Sequence, residues 1–112
     1  MSWVVQLANA RATDVTVNNK DFPPGDHFPT DHLTRNASVG LVAGALKAMG
    51  YDADTLVLGE GPDATYNVIA EWPGTTNPGE VVLVGSHLDA FYAGADDNGS
   101  AVAAMLETAR IV

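Results

Sequence analysis

The sequence predicts an α/β domain built on a mixed β-sheet, and three stretches carry that expectation. Glu80-Val-Val-Leu-Val-Gly-Ser-His-Leu-Asp89 contains an unbroken apolar run, Val81 to Val84, the pattern of a strand buried on both faces. Ala101 to Val112 is dense in helix formers with a mostly apolar surface. Val39, Val42, Ala43, Leu46 and Met49 recur at helical spacing. Buried strands alternating with apolar-faced helices are the mark of a sheet covered by helices.

Taken in order, Trp3 to Ala12 reads as a short helix that packs Val4, Val5, Leu7 and Ala8. Val15 and Val17 alternate within a candidate strand, Thr13 to Asn19, and Phe22-Pro-Pro-Gly25 and Phe28-Pro29 then impose turns and extended backbone. Residues 1–33 thus form an irregular amino-terminal segment, and 34–112 begin the α/β domain proper. Thr34 to Ser38 offers N-cap candidates for a helix over Val39 to Met49, which Gly50 closes as its C′ residue. Tyr51 to Leu58 is extended, and Glu60-Gly-Pro-Asp63 is a turn. Thr65 to Trp72 is a strand with Val68, Ala70 and Trp72 on one face and Asn67, Ile69 and Glu71 on the other. The link Pro73 to Gly79 has no room for a crossover helix, so this strand and Val81 to Val84 are expected to be antiparallel neighbours.

Composition narrows the class. With 46% hydrophobic residues the 112-residue chain is globular and not disordered. Its formal net charge of -9 argues against nucleic acid and anionic membranes as partners. There is no cysteine, which excludes a disulfide framework and a thiolate-ligated zinc site. No stretch approaches the roughly 18 apolar residues of a membrane span. Met1 to Ala8 lacks the basic start of a secretory signal, so no signal peptide is visible and the compartment stays open.

The chemistry concentrates at one place. The strand at Val81 delivers His87 and Asp89 to its carboxyl end, where the functional crevices of open α/β sheets lie. A short link leads to Gly94-Ala-Asp-Asp-Asn-Gly-Ser100, an acidic loop at the mouth of the last helix. An imidazole converging with carboxylates favours zinc or another first-row metal over calcium, which takes oxygen ligands. Asp89 lies two residues from His87 and so points to the same side of an extended chain, within reach of its second ring nitrogen. Asp96 caps the following helix or hydrogen-bonds the loop. His27 and His32 sit on no scaffold that aims them at this place, and structural or exposed roles are expected for both. Other motifs fail: an EF-hand started at Asp96 needs glycine where Ala101 stands, phosphate-loop and dinucleotide fingerprints are missing, and neither Ser86 nor Ser100 lies in a nucleophile elbow. Asn36-Ala-Ser38 and Asn98-Gly-Ser100 match the glycosylation sequon, but a glycan on the second would obstruct the loop.

Gly85-Ser-His-Leu-Asp89 followed by Gly94-Ala-Asp-Asp-Asn-Gly-Ser100 resembles the first half of the active site of the M28 family of zinc metallopeptidases, which includes the bacterial leucyl aminopeptidases. The resemblance is clearest over Asn67 to Val112 and looser over Arg35 to Leu58. The related M20 peptidases share the His-x-Asp, but the Ala-Asp-Asp-Asn loop fits M28 better. The resemblance implies the amino-terminal part of a three-layer α/β/α fold and a site for two zinc ions. His87 corresponds to a ligand of one ion, Asp97 to the carboxylate bridging both, and Asp89 to the partner of His87. It also implies a cis peptide at Asp97-Asn98. The activity implied is hydrolysis of amino-terminal peptide bonds through a metal-bound hydroxide, on peptides with a free amino terminus. The family's general-base glutamate and remaining ligands have no counterpart before Val112, which falls inside an expected helix with no stop signal. The chain therefore reads as cut, and alone it is expected to be inactive and to bind zinc weakly. Family members are often secreted or periplasmic. The alternative is a metal-free, protease-like binding or scaffolding module, as some relatives of the family are.

Overall fold

The computed structural model describes residues 3, 7, 15–17, 20–22, 32–61, 64–90 and 94–112. Strands β1 (Val15–Val17) and β2 (Lys20–Phe22) pair antiparallel, with Thr16 opposite Asp21. Helix α1 (His32–Ala48) follows, then strands β3 (Asp52–Leu58) and β4 (Thr65–Glu71), and finally helix α2 (Gly99–Ile111). The α/β class expected from the sequence is the class observed, with each described sheet an antiparallel pair. Trp3 and Leu7 are helical; the rest of the helix expected over Trp3 to Ala12 lies outside the described residues, as do His27 and the prolines at 23, 24 and 29.

Helix α1 starts at His32, well before the expected Val39. Propagating a helix is cheaper than nucleating one, and no proline follows Pro29 until Pro62. Ser38, read as a cap candidate, is therefore an interior residue and only 1% exposed. The other end obeys its sequence signal. Gly50 adopts φ 95°, its N–H donates to the Lys47 carbonyl, and the Tyr51 N–H donates to that of Leu46. These two bonds satisfy carbonyls that a helix end leaves orphaned, and the left-handed turn suits a residue without Cβ.

The turn throws the chain straight into β3, which pairs with β4 from Asp52 opposite Glu71 to Leu58 opposite Thr65. Along β4, half-buried Tyr66, Val68 and Ala70 alternate with exposed Asn67, Ile69 and Glu71, the two faces the sequence predicts. Helix α1 lies against both strands and touches α2. Leu7, Val42, Ala45, Leu46, Ala53, Val102 and Leu106 form the core between them. In α2 the buried positions Gly99, Val102, Ala103 and Leu106 make one stripe. The Tyr51 hydroxyl donates to the Ala109 carbonyl at 2.9 Å, tying the start of β3 to the last turns of α2. Its ring packs against Trp72, with centroids 5.2 Å apart.

One expectation fails. Val81 to Val84 is neither buried nor paired: Val82 and Leu83 are 90% and 91% exposed, and β4 takes β3 as its antiparallel neighbour instead. A continuous apolar run signals that both faces favour burial without naming the strand that will cover them. No described residue pairs with the second edge of β4 or with this run, so the parallel part of the expected mixed sheet does not form among the described residues. The segment still carries Ser86 to Asp89 alongside the amino-terminal end of α2. It forms one wall of an open groove of about 680 Å³, whose other walls include Val39, Val68, Val102 and Met105.

Two substitutions contrast the core with this segment. Leu106, fully buried, loses about 2–5 kcal/mol of stability as Leu106→Ala. Val82→Lys changes stability by no more than about 0.5 kcal/mol, as expected for an exposed side chain. Urea denaturation followed by circular dichroism measures both, and a large loss in the second variant would mean that the run is packed.

Candidate metal centre

His87 lies on the extended segment and Asp97 on the loop that opens α2. The His87 Nδ1 is 3.0 Å from the carbonyl oxygen of Asp89 and 3.4 Å from its Oδ1. Both neighbours can only accept, so Nδ1 carries the proton and donates it, chiefly to the carbonyl. Asp89 thus meets the ring more closely through its main chain than through the carboxylate on which the sequence argument rests. With Nδ1 engaged as donor, Nε2 is the ring nitrogen left to meet a partner, by its lone pair or through a second proton. Asp97 Oδ1 stands 3.2 Å from it.

Two lone pairs facing each other at that distance repel unless a proton or a cation sits between them. A tetrahedral ion bonded to both at about 2.0–2.2 Å would hold its donor atoms roughly 3.3–3.4 Å apart, close to the spacing observed. The chemistry of this pair therefore fits a zinc-like cation. As a bare ion pair it would contribute little to stability, since the two side chains are 55% and 81% exposed. Among the described residues no group of three or more His, Asp or Glu side chains converges as a complete cage. What stands here is a pair of donors.

Four hydrogen bonds shape the loop around Asp97 without using its carboxylate. The Gly99 N–H donates to the Gly94 carbonyl at 2.7 Å and the Val102 N–H to that of Asn98 at 3.1 Å. The Ser100 hydroxyl donates to the Asp96 carbonyl at 2.7 Å, and the Asn98 side-chain amide to the His87 carbonyl at 3.1 Å. Gly94 has φ 59°, and a Cβ there would collide with Ala90; a Cβ on Gly99 would come within 2.7 Å of the Gly94 oxygen. Only glycines allow the strands of this loop to cross so closely. The Asp97-Asn98 peptide is cis, as the sequence resemblance implies. Asp96 serves through its backbone, and α2 has no side-chain cap. His32 is the first residue of α1. The bond from Asn98 to His87 was not legible beforehand: an asparagine before a helix signals a cap, and nothing in the spacing redirects it across 11 residues.

Residues 67–112, which span the extended segment, the loop and α2, match Peptidase family M28. The chain is also similar to leupeptin-inactivating enzyme 1 of Streptomyces exfoliatus, with 44% identity over 115 residues that cover 96% of this chain and 25% of that protein. An aminopeptidase of Pseudomonas aeruginosa strain UCBPP-PA14 is 53% identical over 47 residues, covering 40% of this chain and 9% of that protein, and its counterpart in strain PAO1 matches equally. The chain thus spans a quarter or less of the length of these relatives. No solved structure matches it. The family match covers the same residues that bring His87 and Asp97 together, and through them this chain belongs to peptidase family M28.

Proposed function

We propose that this chain contributes the first half of a zinc aminopeptidase site, with His87 and Asp97 as metal donors and Asp89 as the group that orients His87. The observation that carries the reading is the His87 Nε2 facing Asp97 Oδ1 at 3.2 Å while Nδ1 is engaged by Asp89. Membership in the peptidase family and similarity to proteins named as aminopeptidases support it.

Zinc, when bound, supplies a Lewis acid that works at neutral pH without proton bookkeeping. The chain's own residues supply its seat. Asp89 fixes the tautomer of His87 and so presents Nε2, not Nδ1, to the ion. Asp97 would hold the ion through the oxygen beside His87, and among the described residues no recorded contact engages its other oxygen. His87 and Asp97 together offer a single negative charge, so holding divalent cations would call for further carboxylates beside them. The chain by itself is inactive and binds zinc weakly for that reason. The substrate of the complete site is a peptide with a free amino terminus, whose cationic amine is attracted by the surplus of acids. The lack of a three-donor cluster among the described residues favours one other reading, a metal-free binding or scaffolding module.

Calorimetric zinc titration separates these readings. The folded chain takes up zinc, and either His87→Ala or Asp97→Ala abolishes the uptake; no uptake by a folded chain would overturn the zinc assignment and favour the module. Asp89→Asn tests the orienting role more finely. It keeps the backbone carbonyl that Nδ1 meets at 3.0 Å and removes only the carboxylate charge at 3.4 Å. Affinity then falls by about 10-fold, the lower end for partners of a metal-bound imidazole.

A further inference from the structure

We propose that Asn98 is a positioning residue for the metal pair: its side-chain amide clamps the acidic loop to the strand end and thereby sets the distance between His87 and Asp97. The inference deepens the zinc reading and rests on it only for its metal readout.

Asn98 occupies the N-cap of α2, with φ -131° and ψ 26°. An asparagine there ordinarily turns its side-chain oxygen inward to accept an N–H of the first helical turn. Here it makes no such bond. Its Nδ2 instead donates to the His87 carbonyl 3.1 Å away, linking two segments that are separated in sequence by an incompletely described stretch. The choice of residue follows. An aspartate would cap the helix equally well but has no N–H to give to a carbonyl. Alanine would release both segments.

The placement of this bond matters more than its strength. His87 is otherwise fixed by its ring contact to Asp89, a neighbour on the same segment, which travels with it. Asp97 is otherwise fixed by bonds internal to its own loop, from Gly99 to Gly94 and from Ser100 to Asp96. Leu88 packs against the core to which Val102 and Leu106 of α2 belong, and among the described residues the Asn98 amide is the hydrogen bond that ties the loop to the main chain of His87 itself. Asn98 is bonded directly to Asp97 and grips the main chain of His87, so it fixes both ends of the 3.2 Å spacing.

The test compares the wild-type chain with Asn98→Ala and Asn98→Asp, first without metal. In the wild type, nuclear Overhauser contacts join the His87 ring protons to the Asp97 β-protons, and the Asn98 amide protons to the backbone around Leu88. Both variants lose the His87–Asp97 contacts while the amide spectrum of α1, β3 and β4 stays in place. Asn98→Asp keeps an N-cap residue favourable to the start of α2, so a residue that merely stabilised the helix would leave that variant unchanged. Cobalt(II) is then titrated as a spectroscopic probe, and its affinity for Asn98→Ala falls about 10-fold with a changed visible spectrum. His87–Asp97 contacts that persist in both variants, or that the wild type lacks, would overturn the clamp. A wild type with those contacts but no cobalt uptake would refute the zinc reading and leave the clamp standing.

Discussion

A single protonated nitrogen organises the site. Because the His87 Nδ1–H is taken by the Asp89 carbonyl, the opposite nitrogen is the one left to face the Asp97 carboxylate. A nitrogen and a carboxylate oxygen at that distance are held together by a proton or a cation between them. The remainder of the described structure can be read as support for that confrontation: the core between α1, β3, β4 and α2 fixes where α2 begins, and the start of α2 fixes the loop that carries Asp97.

The site was more legible in the sequence than the sheet. His87 and Asp89 stood out by a strand-end pattern and Asp97 by a resemblance to the family's acidic loop, both of which rest on local sequence. The C-terminal stop of α1 was legible for the same reason, since the turn at Gly50 lets its own N–H and that of Tyr51 reach the Lys47 and Leu46 carbonyls just before it. The start of α1 was not, because helix propagation is decided by the whole segment and no single residue marks where it begins. Strand pairing is the least local property of all. The apolar run from Val81 to Val84 announced a wish for burial, but which edge it meets depends on chain elsewhere, and β4 is paired to β3. Asn98 illustrates the same limit in miniature: its residue type advertised a cap, and a carbonyl from another segment outbid it.

The division between a sound core and an open flank also fits the comparisons. The relatives are several times longer than this chain, and similarity to one of them extends along nearly all of it. The helices and the β3–β4 pair close on themselves through Leu106, Val42 and the Tyr51 bond to Ala109. On the flank that carries His87 and Asp97, Leu88 and Ala90 turn inward, while the side chains of His87 and Asp97 stay more than half exposed to solvent.

The bare apolar run has a consequence for the behaviour of the protein in solution. Val81, Val82 and Leu83 form an exposed, uncharged stretch that pairs with no strand among the described residues, the kind of template on which chains assemble edge to edge. The formal charge of -9 keeps copies apart while their fields reach one another. Raising salt from 0.01 M to 1 M shortens that reach from about 30 Å to about 3 Å. Colloidal stability is therefore governed by ionic strength, and dilute-salt buffers are the conditions in which this chain stays dispersed.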